Sequence, residues 1–169
     1  MWNDTETPLA YFISFRCYGT WLRGDERGSI DRFHNEYGSP YIPQNDALRN
    51  HHEGLMKGDP VKLDAKRRNA VSSAIRDTCA KRGWELLAYN VRTNHVHTVV
   101  CGGSKKSSLV LNAFKANATR QLREEALWTE TYSPWADKGS RRRLWNEQSV
   151  ARAIDYVVNG QSNDLPNFD

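Results

Sequence analysis

Two histidines flanking a single valine, His95-Val96-His97, are the residues of this sequence best suited to hold a cation. They lie in a run of aromatic and branched residues with strand character. Successive strand side chains point to opposite faces, so both imidazoles leave one face while Val96 turns into the other. At about 3.4 Å per residue their backbones are roughly 7 Å apart, a gap that two imidazoles can close on one ion. Same-face histidines are also an ordinary surface feature, so their surroundings have to decide. Two imidazoles make an open site with room for a substrate oxygen, and a third ligand must come from elsewhere in the chain. The spacing fits neither a zinc finger nor an HExxH helix. Basic neighbours favour a phosphate-directed Mg²⁺ or Mn²⁺, and imidazole accepts Mn²⁺ more readily than Mg²⁺.

A cation beside a phosphate calls for a nucleophile, and Tyr156 is a candidate. Over 150–158, Val150, Ile154, Val157 and Val158 recur at helical spacing and predict an apolar stripe. At about 100° per residue Tyr156 falls off it, near Arg152 and Gly160 on the polar side. The chain has seven tyrosines, and periodicity alone does not select one. A phenol with a reference pKa near 10 attacks phosphorus poorly unless a metal polarises the phosphate and nearby cations favour phenolate. Arg152, one turn before Tyr156, could steady either group, although an exposed helix arginine usually only meets solvent.

The elements that must position these residues follow from pattern. Tyr11, Ile13, Phe15 and Cys17 alternate with Phe12, Ser14, Arg16 and Tyr18, predicting a first strand within 10–21. The stretch from Leu22 to about Pro60 is rich in Gly, Asp, Asn, His and Pro and reads as a long functional loop. Within it Gly24–Ser29 lacks the phosphate-cradle pattern and reads as a plain turn. Asp64 is placed to cap a helix running to Arg82, with Val71, Ala74, Ile75, Thr78 and Cys79 on one face and Gly83 past its end. Two strands, Trp84 to Arg92 and His95 to Cys101, joined by Thr93-Asn94, predict a hairpin that carries the histidines. Leu111, Phe114, Ala118 and Leu122 predict a helix from Ser107 to about Ala126. Arg141 to Trp145 reads as a short strand, and Asn146 as the cap of a last helix ending at Gly160. This order implies an α+β fold, a ferredoxin-like or RRM-like antiparallel sheet with packed helices and the histidines on a central strand.

Composition bounds the remaining possibilities. A length of 169 residues predicts a single domain over 1–169. Charged residues make up 26% and hydrophobic ones 38%, with no apolar run long enough to span a bilayer and no leader-like N-terminus, so a cytoplasmic protein is expected. Cys17, Cys79 and Cys101 show neither disulfide nor zinc spacing and read as reduced thiols. The net charge is only +4, but the basic residues cluster at 66–68, 105–106 and 141–143, which leans towards phosphate.

The run Val91-Arg92-Thr93-Asn94-His95-Val96-His97-Thr98-Val99-Val100 resembles the histidine–hydrophobic–histidine motif of the single-tyrosine HUH transposases of small bacterial insertion sequences, including the REP-associated tyrosine transposases. The stretches 15–22 and 109–120 and Tyr156-Val157-Val158-Asn159-Gly160-Gln161 look like the same family, so the resemblance spans most of the chain. It implies metal-dependent attack by the tyrosine hydroxyl on single-stranded DNA, giving a 5′-phosphotyrosyl intermediate and a free 3′-hydroxyl. In such enzymes a Gln or Asn about one turn after the tyrosine completes the metal site. Here that position is Gly160, flanked by Asn159 and Gln161. Gln161 is preferred, because a left-handed turn at Gly160 would swing the next side chain back. The resemblance further implies a homodimer acting on hairpin DNA, with Lys105, Lys106, Lys115, Arg141, Arg142, Arg143 and Arg152 as phosphate contacts. Trp135 and Trp145 are expected in the core rather than stacked on bases.

Two rivals make different demands. A non-catalytic binding module, for RNA or hairpin DNA, needs the same fold and no cleavage, although the aromatic signature of RNA-recognition sheets is missing. A two-histidine phosphodiesterase would need a second HxT-like motif, which the sequence lacks.

Overall fold

The computed structural model describes residues 7–20 and 58–160. The predicted 22–60 connection, apart from its last three residues, lies outside that range, as do Trp21, Gly24–Ser29, Gln161 and the tail. The described elements are β1 (Ala10–Arg16), α1 (Ala65–Arg82), β2 (Glu85–Val91), β3 (His95–Cys101), α2 (Ser107–Glu124), β4 (Ser140–Leu144) and α3 (Glu147–Asn159). The strands form one antiparallel sheet in the order β2-β3-β1-β4, the α+β ferredoxin-like layout that the pattern predicted. No described helix is long and apolar enough to cross a membrane.

Local chemistry explains where the helices begin and end. The Asp64 carboxylate accepts the Arg67 N–H at 2.9 Å to open α1, and Gly83 closes it in the left-handed region at φ 69°. Asn146 accepts the Ser149 N–H at 2.8 Å to open α3. The β2–β3 turn at 92–94 is pinned from three sides. Arg92 N–H donates to the His95 carbonyl within the hairpin, while Asn94 and Thr93 carbonyls accept from Cys17 and Leu63.

The sheet divides the protein into two unequal layers. One face carries Tyr11, Ile13, Phe15, Val96 and Val100 into the main core against α1 and α2, whose side chains Val71, Ile75, Val110, Phe114 and Leu122 are buried there. An Asn117 amide donating to Thr78 Oγ1 at 2.9 Å links the two helices. Trp135 belongs to this core, and its indole N–H is satisfied by the Lys115 carbonyl and Thr119 Oγ1. The other face is covered only in part. There α3 packs Ala153 and Val157 on Ala10, Ala88, Val99 and Leu144, with Val150 and Ile154 at the margin.

The stripe of α3 therefore differs from the expected one. Ala153 takes a central place, whereas Val158 is 58% exposed. Position 158 lies about 100° around the helix from Val157, off the side that Ala153 and Val157 bury.

Candidate active site

Among the described residues α3 packs over Ala10, Ala88, Val99 and Leu144, and the histidine end of β3 lies beyond that cluster on the same face. Strand register fixes the neighbours. Asn90 on β2, His97 on β3, Ser14 on β1 and Ser140 on β4 form one row across the sheet, and His95 pairs with Arg16 in the next. On the other side of the His97 row lie Ala88, Val99, Phe12 and Arg142. Directly paired residues share a face, so these side chains all emerge on the side that α3 half covers.

Both imidazoles are held through Nδ1. The Asn94 amide oxygen lies 2.7 Å from His95 Nδ1, which sets that nitrogen as the donor and puts the ring's lone pair on Nε2. Ser14 Oγ lies 2.5 Å from His97 Nδ1 and holds the second ring by a hydrogen bond in which the hydroxyl can donate or accept. The ring centroids are 4.7 Å apart, so the two imidazoles converge as the sequence spacing implied. Burial, helped by His95 and the Arg92 guanidinium, pushes the His97 pKa down to about 3. His97 is thus neutral near pH 7, the form in which imidazole donates to a cation. This donor set fits a divalent ion such as Mn²⁺ or Mg²⁺. Among the described residues no group of three or more His, Cys, Asp or Glu side chains surrounds it, which leaves the ligand count open.

Tyr156 reaches the same place from α3. Its ring meets His97 edge-on at 5.6 Å and Phe12 at 5.9 Å between centroids, and Phe12 in turn lies 5.6 Å from His97. Tyr156 is nevertheless 46% exposed. The end of α3 is anchored by the Asn90 amide, which donates to the Val157 carbonyl at 3.0 Å from the row that holds His97.

Gly160 is not the left-handed cap expected of it. At φ −82° and ψ −2° it continues the right-handed path, its N–H still donating to the Tyr156 carbonyl at 2.9 Å. Glycine is required there for space. A Cβ at 160 would lie 2.7 Å from the Tyr156 carbonyl oxygen and 2.8 Å from its ring Cδ2. The expected swing of Gln161 through a left-handed turn is thereby lost, and Gln161 itself lies outside the described residues. Asn159, the other flanking amide, donates to Asp155 along the helix at 3.0 Å.

The expected phosphate contacts separate into groups. Arg152 is exposed on α3, and Lys105 and Lys106 are exposed before α2, beyond the end of β3 remote from the histidines. The Lys115 ammonium donates to the Ala136 and Lys138 carbonyls, both at 2.8 Å, and burial lowers its pKa. Two of its three N–H donors thus hold the 136–138 loop. Arg141 and Arg143 pair with Ile13 and Tyr11 and so face away from the histidines, whereas Arg142 pairs with Phe12 and shares their face. Sequence reasoning had assigned no role to Ser14, Phe12, Asn90 or Arg16, although strand alternation had already set Phe12, Ser14 and Arg16 apart from the core residues of β1.

Residues 60–155, more than half of the chain, match the family described as "Transposase IS200 like". Among solved structures, a REP-associated tyrosine transposase bound to a REP hairpin is similar at 12% identity, covering 93% of this chain and 68% of the other with a TM-score of 0.53. A Deinococcus radiodurans R1 protein described as a candidate transposase is similar at 13% identity, covering 94% of this chain and 95% of the other with a TM-score of 0.45. No curated protein sequence matches the chain significantly. At 12% identity the first of these structures establishes a shared fold alone, and the match over 60–155 establishes kinship: the chain belongs to the IS200-like transposase family.

Proposed function

We propose that this transposase cuts and rejoins single-stranded DNA through Tyr156. The observation that carries the reading is the edge contact of the Tyr156 ring with His97 on the sheet face that α3 covers in part among the described residues. Tyr156 Oη attacks the scissile phosphorus, a new P–O bond forms to the tyrosine, and the P–O3′ bond breaks. The phenolic proton passes to solvent, and the departing 3′ oxygen takes one up to become a hydroxyl. One phosphodiester replaces another, so the step is reversible and needs no nucleotide hydrolysis.

His95 and His97 would hold the metal through Nε2, with Gln161 proposed as the third ligand. When bound, Mg²⁺ or Mn²⁺ supplies Lewis-acid polarisation of the phosphate. The chain's own residues prepare the reaction around it. Asn94 selects the His95 tautomer, Ser14 orients the His97 ring, Phe12 supports the Tyr156 ring, and Asn90 locks the end of α3. Arg152, exposed one turn before Tyr156, is proposed to hold the phosphate. The solved relative's REP hairpin suggests hairpin-flanked single strands as substrate. A homodimer acting in the cytoplasm as one domain over 1–169 completes the reading.

The test is incubation of end-labelled hairpin DNA bearing single-stranded flanks with Mn²⁺ or Mg²⁺, comparing wild type, Tyr156→Phe and His97→Ala on a denaturing gel. A covalent protein–DNA band lost in both variants is expected. Cleavage surviving in Tyr156→Phe moves the nucleophile elsewhere, to water if no adduct forms. Binding without cleavage in the wild type favours a protein that keeps hairpin recognition alone.

A further inference from the structure

Past the end of β3 remote from the histidines, a cleft of about 520 Å³ opens between the last turn of α1 and the first turns of α2. Arg82, Lys106, Ser108 and Asn112 supply its polar lining, and Leu109 and Ala113 its apolar wall. Antiparallel packing brings these helix ends together. Asn117 bonds Thr78, and four residues further along each helix Arg82 and Ala113 line the same cleft.

Both cations stand on anchored parts of the fold. The Arg82 guanidinium carbon lies 5.1 Å from the centre of the Trp84 ring, and that ring meets Phe114 edge-on in the core at 6.1 Å. Stacking occupies the guanidinium plane and leaves its N–H donors at the edge. The turn that carries Lys106 is tied down by the Tyr11 hydroxyl, which donates to the Lys105 carbonyl at 2.8 Å.

Charge at this end of α2 runs against the helix. A helix N-terminus carries roughly half a positive charge, which a capping oxygen or an acidic first turn normally offsets. Here the N-cap residue is Lys106, which makes no side-chain cap bond, Lys105 precedes it, and the first turn has no acid. With Arg82 added, the cleft concentrates positive charge that no carboxylate in its lining balances. The apolar wall on one side strengthens a charge-assisted contact with an anion such as phosphate.

Position decides which phosphate. The histidines emerge on one face of the sheet, and α1 and α2 cover the other. From His97 to the end of β3 at Cys101 is a further four residues, about 14 Å at strand rise. The stretch of DNA reacting at the histidines is therefore not the stretch that reaches the cleft. In a hairpin substrate the paired stem leads away from the reacting strand and presents one charge per about 1.7 Å of its axis. We propose that this cleft binds a backbone phosphate of the hairpin stem, with Arg82 and Lys106 as its cations and Ser108 and Asn112 as hydrogen-bonding groups. The assignment rests on the hairpin substrate proposed above, and not on Tyr156 being the nucleophile.

The probes are a blunt hairpin without tails and an unstructured single strand of equal length, bound in EDTA over a series of salt concentrations. Arg82→Ala and Lys106→Ala should each weaken hairpin binding about five- to tenfold at moderate salt and lower the salt slope by about one, with single-strand binding within about twofold of wild type. Lys106→Asp separates binding from folding. An aspartate at the N-cap should raise Tm by about 2 °C while weakening the hairpin complex at least as much as Lys106→Ala does. Lys62→Ala, which removes an exposed charge before the other end of α1, should bind both probes like wild type. Wild-type hairpin affinity in both Arg82→Ala and Lys106→Asp would overturn the assignment, as would equal losses on the two probes or an equal loss in Lys62→Ala. Those results leave the hairpin substrate standing, whereas a wild type that does not bind the hairpin removes both.

Discussion

Gly160→Ala places one methyl group where Tyr156, the proposed nucleophile, already stands. Its Cβ would lie 2.7 Å from the Tyr156 carbonyl oxygen, 2.8 Å from ring Cδ2 and 3.1 Å from Cα. Ordinary contact begins at 3.4 Å, so gaps of about 0.7 Å (3.4 − 2.7) and 0.6 Å (3.4 − 2.8) must open. Backbone atoms cannot rotate away as a side chain can, so the last turn of α3 has to shift and take the Tyr156 ring off His97. Overpacking costs about 1–3 kcal/mol, and the exposed end of a helix yields at the lower end of that range. A chain of this size should then lose about 2–4 °C in Tm. Misplacing a reacting group by nearly 1 Å costs on the order of 10²-fold in rate. The assay is the single-turnover rate of phosphotyrosyl adduct formation, measured beside hairpin affinity and Tm, with Asn159→Ala as the neighbouring control. Adduct formation should fall about 100-fold while affinity stays within about twofold. A wild-type rate in Gly160→Ala, or a rate loss matched by equal losses of binding and of cooperative unfolding, would refute the reasoning.

Three further outcomes follow from the same geometry. His97 has a folded-state pKa of about 3 against a usual 6.5, so the unfolded chain binds its proton first. Metal-free wild type should therefore lose stability relative to His97→Gln as pH falls from 6.5 towards 3, by at most about 1.4 kcal/mol per pH unit, and parallel denaturation curves at pH 7, 5 and 4 would contradict this. Ser14→Ala removes the group at His97 Nδ1 and should weaken Mn²⁺ binding about 10–100-fold in calorimetric titration, whereas undiminished affinity would mean that Ser14 does not orient the ring. Asn146→Ala removes the cap of α3 and should cost about 1 kcal/mol in urea unfolding, with Asn146→Gly costing less.

What the sequence made legible was everything governed by local period and local caps. The α1 boundaries at Asp64 and Gly83, the hairpin around 92–94 and the cap at Asn146 each depend on residues within a few positions of one another, and each is found where expected. The convergence of His95 and His97 was legible for the same reason, because strand alternation alone creates it. Register between distant strands leaves no such mark. Nothing near Ser14 announces that it faces His97, eighty-three residues away, and nothing within 141–143 tells which arginine shares the face of Tyr156. The misread features of α3 have a similar origin. Val158 fits the helical stripe, but the buried side of α3 is centred on Ala153 and Val157 and leaves it exposed. Gly160 carries the composition of a left-handed cap, while its actual constraint is the ring of a residue one turn away.

The two layers of the sheet differ in how firmly they close. Below β1 and β3 lie Phe15, Ile75, Phe114 and Leu122, whereas α3 is seated on a small cluster with three alanines, each contributing one methyl group. Amide protons of α3 should accordingly exchange through local opening at a lower free energy than those of α1 and α2, which open only when the domain does. The tyrosine thus rides on the cooperative unit that detaches first, and the histidines on the one that detaches last. Docking of α3 becomes an equilibrium in its own right: a strand lying across the open face would draw the helix down by binding only the closed form.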